Sequence, residues 1–129
     1  MIADWRNEAI HECFTGMGID ISHLGARSNY TLQFDDGDTL HLDLTEDACL
    51  HISVRHPVIP NEQETVVDKL LRFNFYKKSS TLRPLGYMLE DALVLRLVLP
   101  QEQSQPTTIN QALINLRKAR EQIMDTRYA

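Results

Sequence analysis

The chain has 129 residues, 43% of them hydrophobic, and a formal net charge of −5, which suits one domain burying roughly two-thirds of its unfolded surface. The acidic balance argues against a nucleic-acid binder, because such proteins need a basic surface to displace counterions from phosphates. No apolar run approaches a membrane span, the opening MIADWRNEA lacks the basic-then-apolar order of an export signal, and Cys13 and Cys49 match no CxxC spacing. The expectation is therefore a single soluble domain over residues 1–129, without membrane insertion, carrying free thiols in a reducing cytoplasm.

Ile2, Trp5, Ala9, Cys13 and Met17, with Ile10 and Phe14 beside them, recur at helical spacing against a polar side of Arg6, Glu8, His11 and Glu12. This predicts an amphipathic helix ended by Gly16 and Gly18. Tyr30, Leu32 and Phe34 then alternate with polar residues, DDGD at 35–38 supplies a turn, and Leu40, Leu42 and Leu44 alternate again. A third strand alternates Leu50, Ile52 and Val54 with Cys49, His51, Ser53 and Arg55, and stops before Pro57. Asn61 with Glu64 resembles a capping box and opens a helix to about Tyr76, whose apolar surface (Val66, Val67, Leu70, Leu71, Phe73, Phe75) is broad.

The stretch from Leu82 to Pro100 reads as a β-hairpin about Glu90 and Asp91, a polar pair suited to a type I turn. Symmetric pairing sets Met88 opposite Leu93, Tyr87 opposite Val94 and Leu85 opposite Arg96. Both faces are then apolar, so the hairpin is either sandwiched within the chain or covered by another molecule. Thr108 and Gln111 are placed to cap a last helix with the stripe Ile109, Ala112, Leu113, Leu116, Ile123 and Met124, and its late cations Arg117, Lys118 and Arg120 suit a helix C-terminus.

The order α-β-β-β-α-β-β-α predicts an α+β fold on a mostly antiparallel five-stranded sheet. Five strands at about 4.8 Å make a sheet about 24 Å wide, and helices at about 8–10 Å between axes fit roughly two across one face. The third helix needs the other face, an edge or a second subunit. A dimer through residues 61–76 and strands 85–99 answers that need; three helices crowded on one monomeric core is the alternative.

The five histidines show no converging ligand spacing, so no metal site is assigned. Cys49 and His51 lie two apart on one strand, yet no orienting group or oxyanion loop accompanies them, and no enzyme site is assigned either. The acids Asp35, Asp36, Asp38, Asp43, Glu46 and Asp47 read as turn formers, without the D-x-D-x-D-G pattern of a calcium loop. Lys69, Arg72, Lys77, Lys78 and Arg83 form an opposite, basic stretch that can steer a protein partner.

LLRFN at 70–74 followed by LGYMLEDALVLRLVLP at 85–100 resembles the signature of the class I type III secretion chaperones, the Tir chaperone-like family. The shared features are a Leu-Leu-x-x-Asn helix end, a Leu-Gly strand, an acidic turn and an apolar strand closing in Leu-Pro. The linker KKSSTLRP departs from the pattern in lacking the glycines that often precede the Leu-Gly strand. The resemblance implies a cytoplasmic chaperone that works without ATP or any other cofactor and holds the N-terminal segment of a type III secreted effector in extended form. It implies a dimer, as a homodimer or with a different small chain, joined through Leu70, Leu71, Asn74, Leu85, Gly86, Tyr87 and, on the hairpin face argued above, Val94. For effector binding the expected residues are Trp5, Ile10 and Phe14 on the first helix and Leu32, Phe34 and Leu40 on the first strands. A chaperone-like subunit or secretion regulator is the alternative, and a small α+β ligand-binding domain or enzyme a more distant one.

Overall fold

The computed structural model describes residues 5–20, 29–45, 49–75, 84–103 and 105–125, apart from the side chains of Trp5, Phe75 and Gln101. Three helices, α1 (Trp5–Gly16), α2 (Gln63–Phe75) and α3 (Pro106–Met124), accompany five strands: β1 (Asn29–Gln33), β2 (Thr39–Leu44), β3 (Leu50–Pro57), β4 (Leu85–Leu89) and β5 (Ala92–Leu99). The element order is the one expected. All strand pairs are antiparallel, in the spatial order β1-β2-β3-β5-β4.

The period-2 pattern sorts the sheet into two faces. The inner face carries the rows Leu32–Leu40–Val54–Leu95–Gly86, Tyr30–Leu42–Ile52–Leu97 and Leu44–Leu50–Leu99. On it pack Ala9, Ile10, Cys13 and Phe14 from α1 and Ile109, Ala112, Leu113, Leu116, Ala119 and Ile123 from α3, making one buried core. Helix α1 lies against α3, α3 over β3 and β5, and α2 against β4 and α3. The helix in excess of the sheet's width thus takes the β4 edge, where Val66 and Leu70 complete the core.

Helix ends follow local chemistry. Gly18 at φ +80° lets α1 close with Ile19 N–H donating to Phe14 O (2.8 Å) and Gly18 N–H to Thr15 O (3.0 Å), the paired bonds of a Schellman motif. Neither expected N-terminal cap forms. A 3-10 turn at Pro60–Glu62 precedes α2, and Ile59 and Gln105 flank the two helix starts without side-chain capping bonds. Pro60 and Pro106 hold the first position instead, because proline fixes φ and has no N–H to satisfy; Asn61 and Thr108 are thereby inside the first turns. Strand β3 also runs further than expected, with Pro57 paired to Ala92 at its end.

The β4–β5 register matches the sequence reading at Leu85↔Arg96, Tyr87↔Val94 and Met88↔Leu93. The turn type does not. Glu90 has φ +57°, which a type I turn excludes and the primed hairpin turns require, since only they match the right-handed twist of the strands.

Candidate interaction surface

The signature residues meet where α2 crosses β4. Leu70 is buried, and its Cδ1 fills the space that a β-carbon on Gly86 would occupy. One turn later Asn74 donates through Nδ2 to Gly86 O (2.8 Å) and accepts the Gly86 N–H on Oδ1 (3.1 Å). The Leu-x-x-x-Asn spacing stacks the two side chains on one helix face, and glycine admits both the close leucine and the amide. Leu70, Asn74 and Gly86, expected at a dimer interface, are therefore engaged with one another inside the chain.

The outer face of β4–β5 is a different surface. Leu85 is 63% exposed, with Tyr87 and Leu89 exposed along the same face of β4 and Val98 on β5, and on α2 Leu71 (63%) and Val67 are exposed as well. Val94, on the same face, is buried within the chain. Arg96 interrupts the apolar rows and hydrogen-bonds the ring of His51 on β3. Across β1, β2 and β3 the outer rows turn polar with Thr31, His41, Ser53, Asp43 and His51. Cys49 stands just before β3, and its carbonyl accepts from Arg6 Nη1 (2.6 Å), which also reaches Thr45 O (3.0 Å) and so fastens α1 to the β2–β3 connection.

Of the residues expected to bind an effector, Ile10, Phe14 and Leu40 are core, and Leu32 and Phe34 are half-buried against it. The side chain of Trp5 lies outside the described residues. Tyr30, the polar exception in the apolar set, is buried with its hydroxyl hydrogen-bonded to Asn7 and 3.3 Å from His11 Nε2. Cys13 is buried as well, and burial pushes its thiol up from the ordinary range, away from nucleophile chemistry.

An ionic cluster that sequence reasoning missed ties the β1–β2 turn to α3. Asp38 is 1% exposed. Its carboxylate meets His56 Nδ1 (2.8 Å), Arg117 Nε (3.3 Å) and Arg120 Nε (3.0 and 3.1 Å to its two oxygens). Asp36 joins Arg117 and, at 3.0 Å, Arg120. Desolvation raises the Asp36 carboxyl, but the Asp38 backbone N–H and the two guanidiniums outweigh it and hold the group below the usual carboxylate range. Arg117 also lies over the Phe34 ring, 4.4 Å from its centroid. Asp36 and Asp38 of DDGD are therefore neutralised locally by the α3 arginines. The signal was present: Asp38 shares the parity of Leu40 and Leu42, hence the core face, and Arg117 and Arg120 stand three apart on one helix side.

Among the described residues no group of three or more His, Cys, Asp or Glu side chains is placed to hold a metal ion, and no helix is long and apolar enough to cross a membrane.

Solved structures share this architecture. A chain of the ExsC–ExsE complex matches with a TM-score of 0.68 at 18% identity, covering 96% of each chain. A chain of the ExoT–SpcS complex from Pseudomonas aeruginosa gives 0.64 at 18%, covering 94% of this chain and 97% of that one. The Yersinia pestis type III secretion chaperone SycH, solved with a stable fragment of YscM2, gives 0.65 at 18%, covering 91% and 98%. A search of curated protein sequences returns no match. The profile of the Tir chaperone protein (CesT) family matches residues 8–124, a span from the first turn of α1 to the end of α3 that takes in the Leu70–Asn74–Gly86 contact. On that match the chain belongs to the Tir chaperone protein (CesT) family.

Proposed function

We propose that this protein is an ATP-independent, non-enzymatic chaperone of the bacterial cytoplasm. It binds the N-terminal segment of a type III secreted effector and keeps that segment extended. The observation that carries the reading is the exposed apolar row Leu85, Tyr87 and Leu89 on the outer face of β4, with Val98 exposed on β5 and Leu71 on α2, in a chain of a secretion-chaperone family. Exposed apolar side chains gathered on one strand face call for a cover, and a second copy supplies one by two-fold apposition of β4–β5 and α2. Leu71, Leu85 and Tyr87 are the contact residues of this homodimer; Val94, opposite Tyr87 in the same row, is already buried within the chain.

The client takes the opposite side of the sheet. Phe34 N–H donates to Asp38 O (2.9 Å), so by alternation Leu32 and Tyr30 bond toward β2 while Asn29, Thr31 and Gln33 direct their backbone groups to the edge of β1, which no other described strand pairs. An extended segment adds there by main-chain hydrogen bonds, with its apolar residues against Leu32 and Phe34. Binding free energy alone offsets the cost of ordering the client, so no nucleotide is consumed.

Two measurements test this. Sedimentation or light scattering gives twice the 14.9 kDa chain mass, and Leu71→Glu with Leu85→Glu restores the monomer while leaving circular dichroism unchanged; a wild-type monomer refutes the dimer. Proteins recovered with the chaperone from its native bacterium include a secreted protein, and deleting that protein's N-terminal segment abolishes recovery. Retention after the deletion refutes the client reading, and two different small chains in equal amounts replace the homodimer by a heterodimer.

A further inference from the structure

The two edges of the sheet are chemically unequal. At β4, the two-residue turn makes Leu89↔Ala92 the closing pair, so Leu89, Tyr87 and Leu85 bond toward β5 while Met88, Gly86 and Pro84 direct their backbone groups outward. Pro84 has no N–H to offer. The Gly86 N–H and C=O are both taken by the side chain of Asn74. A strand docking on this edge would find one complete donor–acceptor residue, Met88, where β1 offers Asn29, Thr31 and Gln33 in succession at about 6.8 Å repeats.

We infer that Asn74 is an edge guard. Its amide presents one donor and one acceptor in the places a neighbouring strand would fill, and so closes β4 to strand addition by a second copy or by a client. Leu70, seated on Gly86 four residues earlier, sets the height of α2 at which that amide can reach. Exposed edge pairing is a general route to uncontrolled association, and this edge borders the apolar strip through which copies are proposed to meet. The guard separates the two events, since copies can join by their faces while strand addition is confined to β1. The inference rests on the chaperone reading only for the identity of the strand added at β1; closure of β4 is a property of the chain.

The test uses the full-length chain with Asn74→Ala and Asn74→Asp. In the wild type the Gly86 amide exchanges with deuterium more slowly than that of Thr31, which has no such partner among the described residues. Asn74→Ala raises Gly86 exchange about tenfold, the loss of one hydrogen bond. At increasing concentration it also forms species larger than the wild-type assembly, with added antiparallel-sheet infrared absorbance. Asn74→Asp keeps an acceptor for the Gly86 N–H and places a charge on the edge, and stays at the wild-type mass. A residue that merely holds α2 in place would make the charged variant at least as defective as the alanine one. Equal assembly of both variants, or a wild-type Gly86 amide that exchanges faster than Thr31, overturns the inference. The second readout needs no variant, so it decides even where Asn74→Ala fails to fold, and neither depends on whether the wild type is a dimer or on what it binds.

Discussion

Gly86→Ala tests the contact between α2 and β4. A β-carbon built on Gly86 overlaps Leu70 Cδ1 and lies 2.9 Å from Leu95 Cδ2. Both are ends of leucine side chains, but Leu70 is 5% and Leu95 0% exposed, so neither has open space to swing into. Forcing a methyl into a packed site costs about 1–3 kcal/mol. Lifting α2 to relieve the overlap also stretches the two Asn74 bonds, at about 1 kcal/mol each. The expected loss is about 2–4 kcal/mol, or roughly 3–5 °C of melting temperature per kcal/mol for a chain of this size. Urea unfolding at fixed protein concentration measures it; the fixed concentration matters because association would shift the midpoint. The pairing with Leu70 is checked by a double-mutant cycle. Leu70→Ala alone costs about 2–5 kcal/mol through the cavity it leaves, and together with Gly86→Ala it costs at least about 1 kcal/mol less than the sum, because the new methyl occupies the vacated space. Additive costs, or a Gly86→Ala loss below about 0.5 kcal/mol, refute the packing argument.

Asp38→Ala leaves His56, Arg117 and Arg120 without their shared carboxylate. Because the Arg120 side chain is only 16% exposed, the expected destabilisation is about 3–5 kcal/mol in urea at neutral pH, and a change within about 0.5 kcal/mol would show the cluster to be ornamental. Asp36 predicts a pH dependence. A carboxylate whose folded pKa is depressed stabilises the fold at pH values above its unfolded pKa of about 3.9, and that contribution is lost as pH falls through the lower folded value. Asp36→Asn is accordingly less stable than wild type at pH 6, and the two converge under acid; a gap that persists unchanged at pH 2 contradicts the assignment.

The residues near each of these sites were legible to different degrees. The hairpin register from Leu85 to Leu99 followed from the sequence alone because Glu90 and Asp91 break the apolar run, and a two-residue turn at that pair fixes every opposite residue. The Leu-Leu-x-x-Asn and Leu-Gly landmarks were visible as a pattern, but their meaning was not. They read as surface for a partner, and the fold turns Leu70, Asn74 and Gly86 toward one another. Ile10, Phe14 and Leu40 suit a client-binding surface by a chemistry that core residues share, and only packing distinguishes the two. Asn61 and Thr108 are good caps by type, but Pro60 opens a 3-10 turn ahead of α2 and Pro106 starts α3, so neither residue stands at a cap.

By itself the amino-acid order determined what is periodic: three amphipathic helices, five strands, the parity of each strand face and the hairpin pairing. Those are short-range properties, set by backbone geometry and by the spacing of apolar residues within one element. The tertiary structure decided what joins distant positions. It brought Asp36 and Asp38 to Arg117 and Arg120, ordered the strands as β1-β2-β3-β5-β4, sent α2 to the β4 edge and set Asn74 against Gly86. Such contacts depend on where whole elements pack, and the charge of an aspartate or the size of a leucine is the same whether it finds a partner, the core or water.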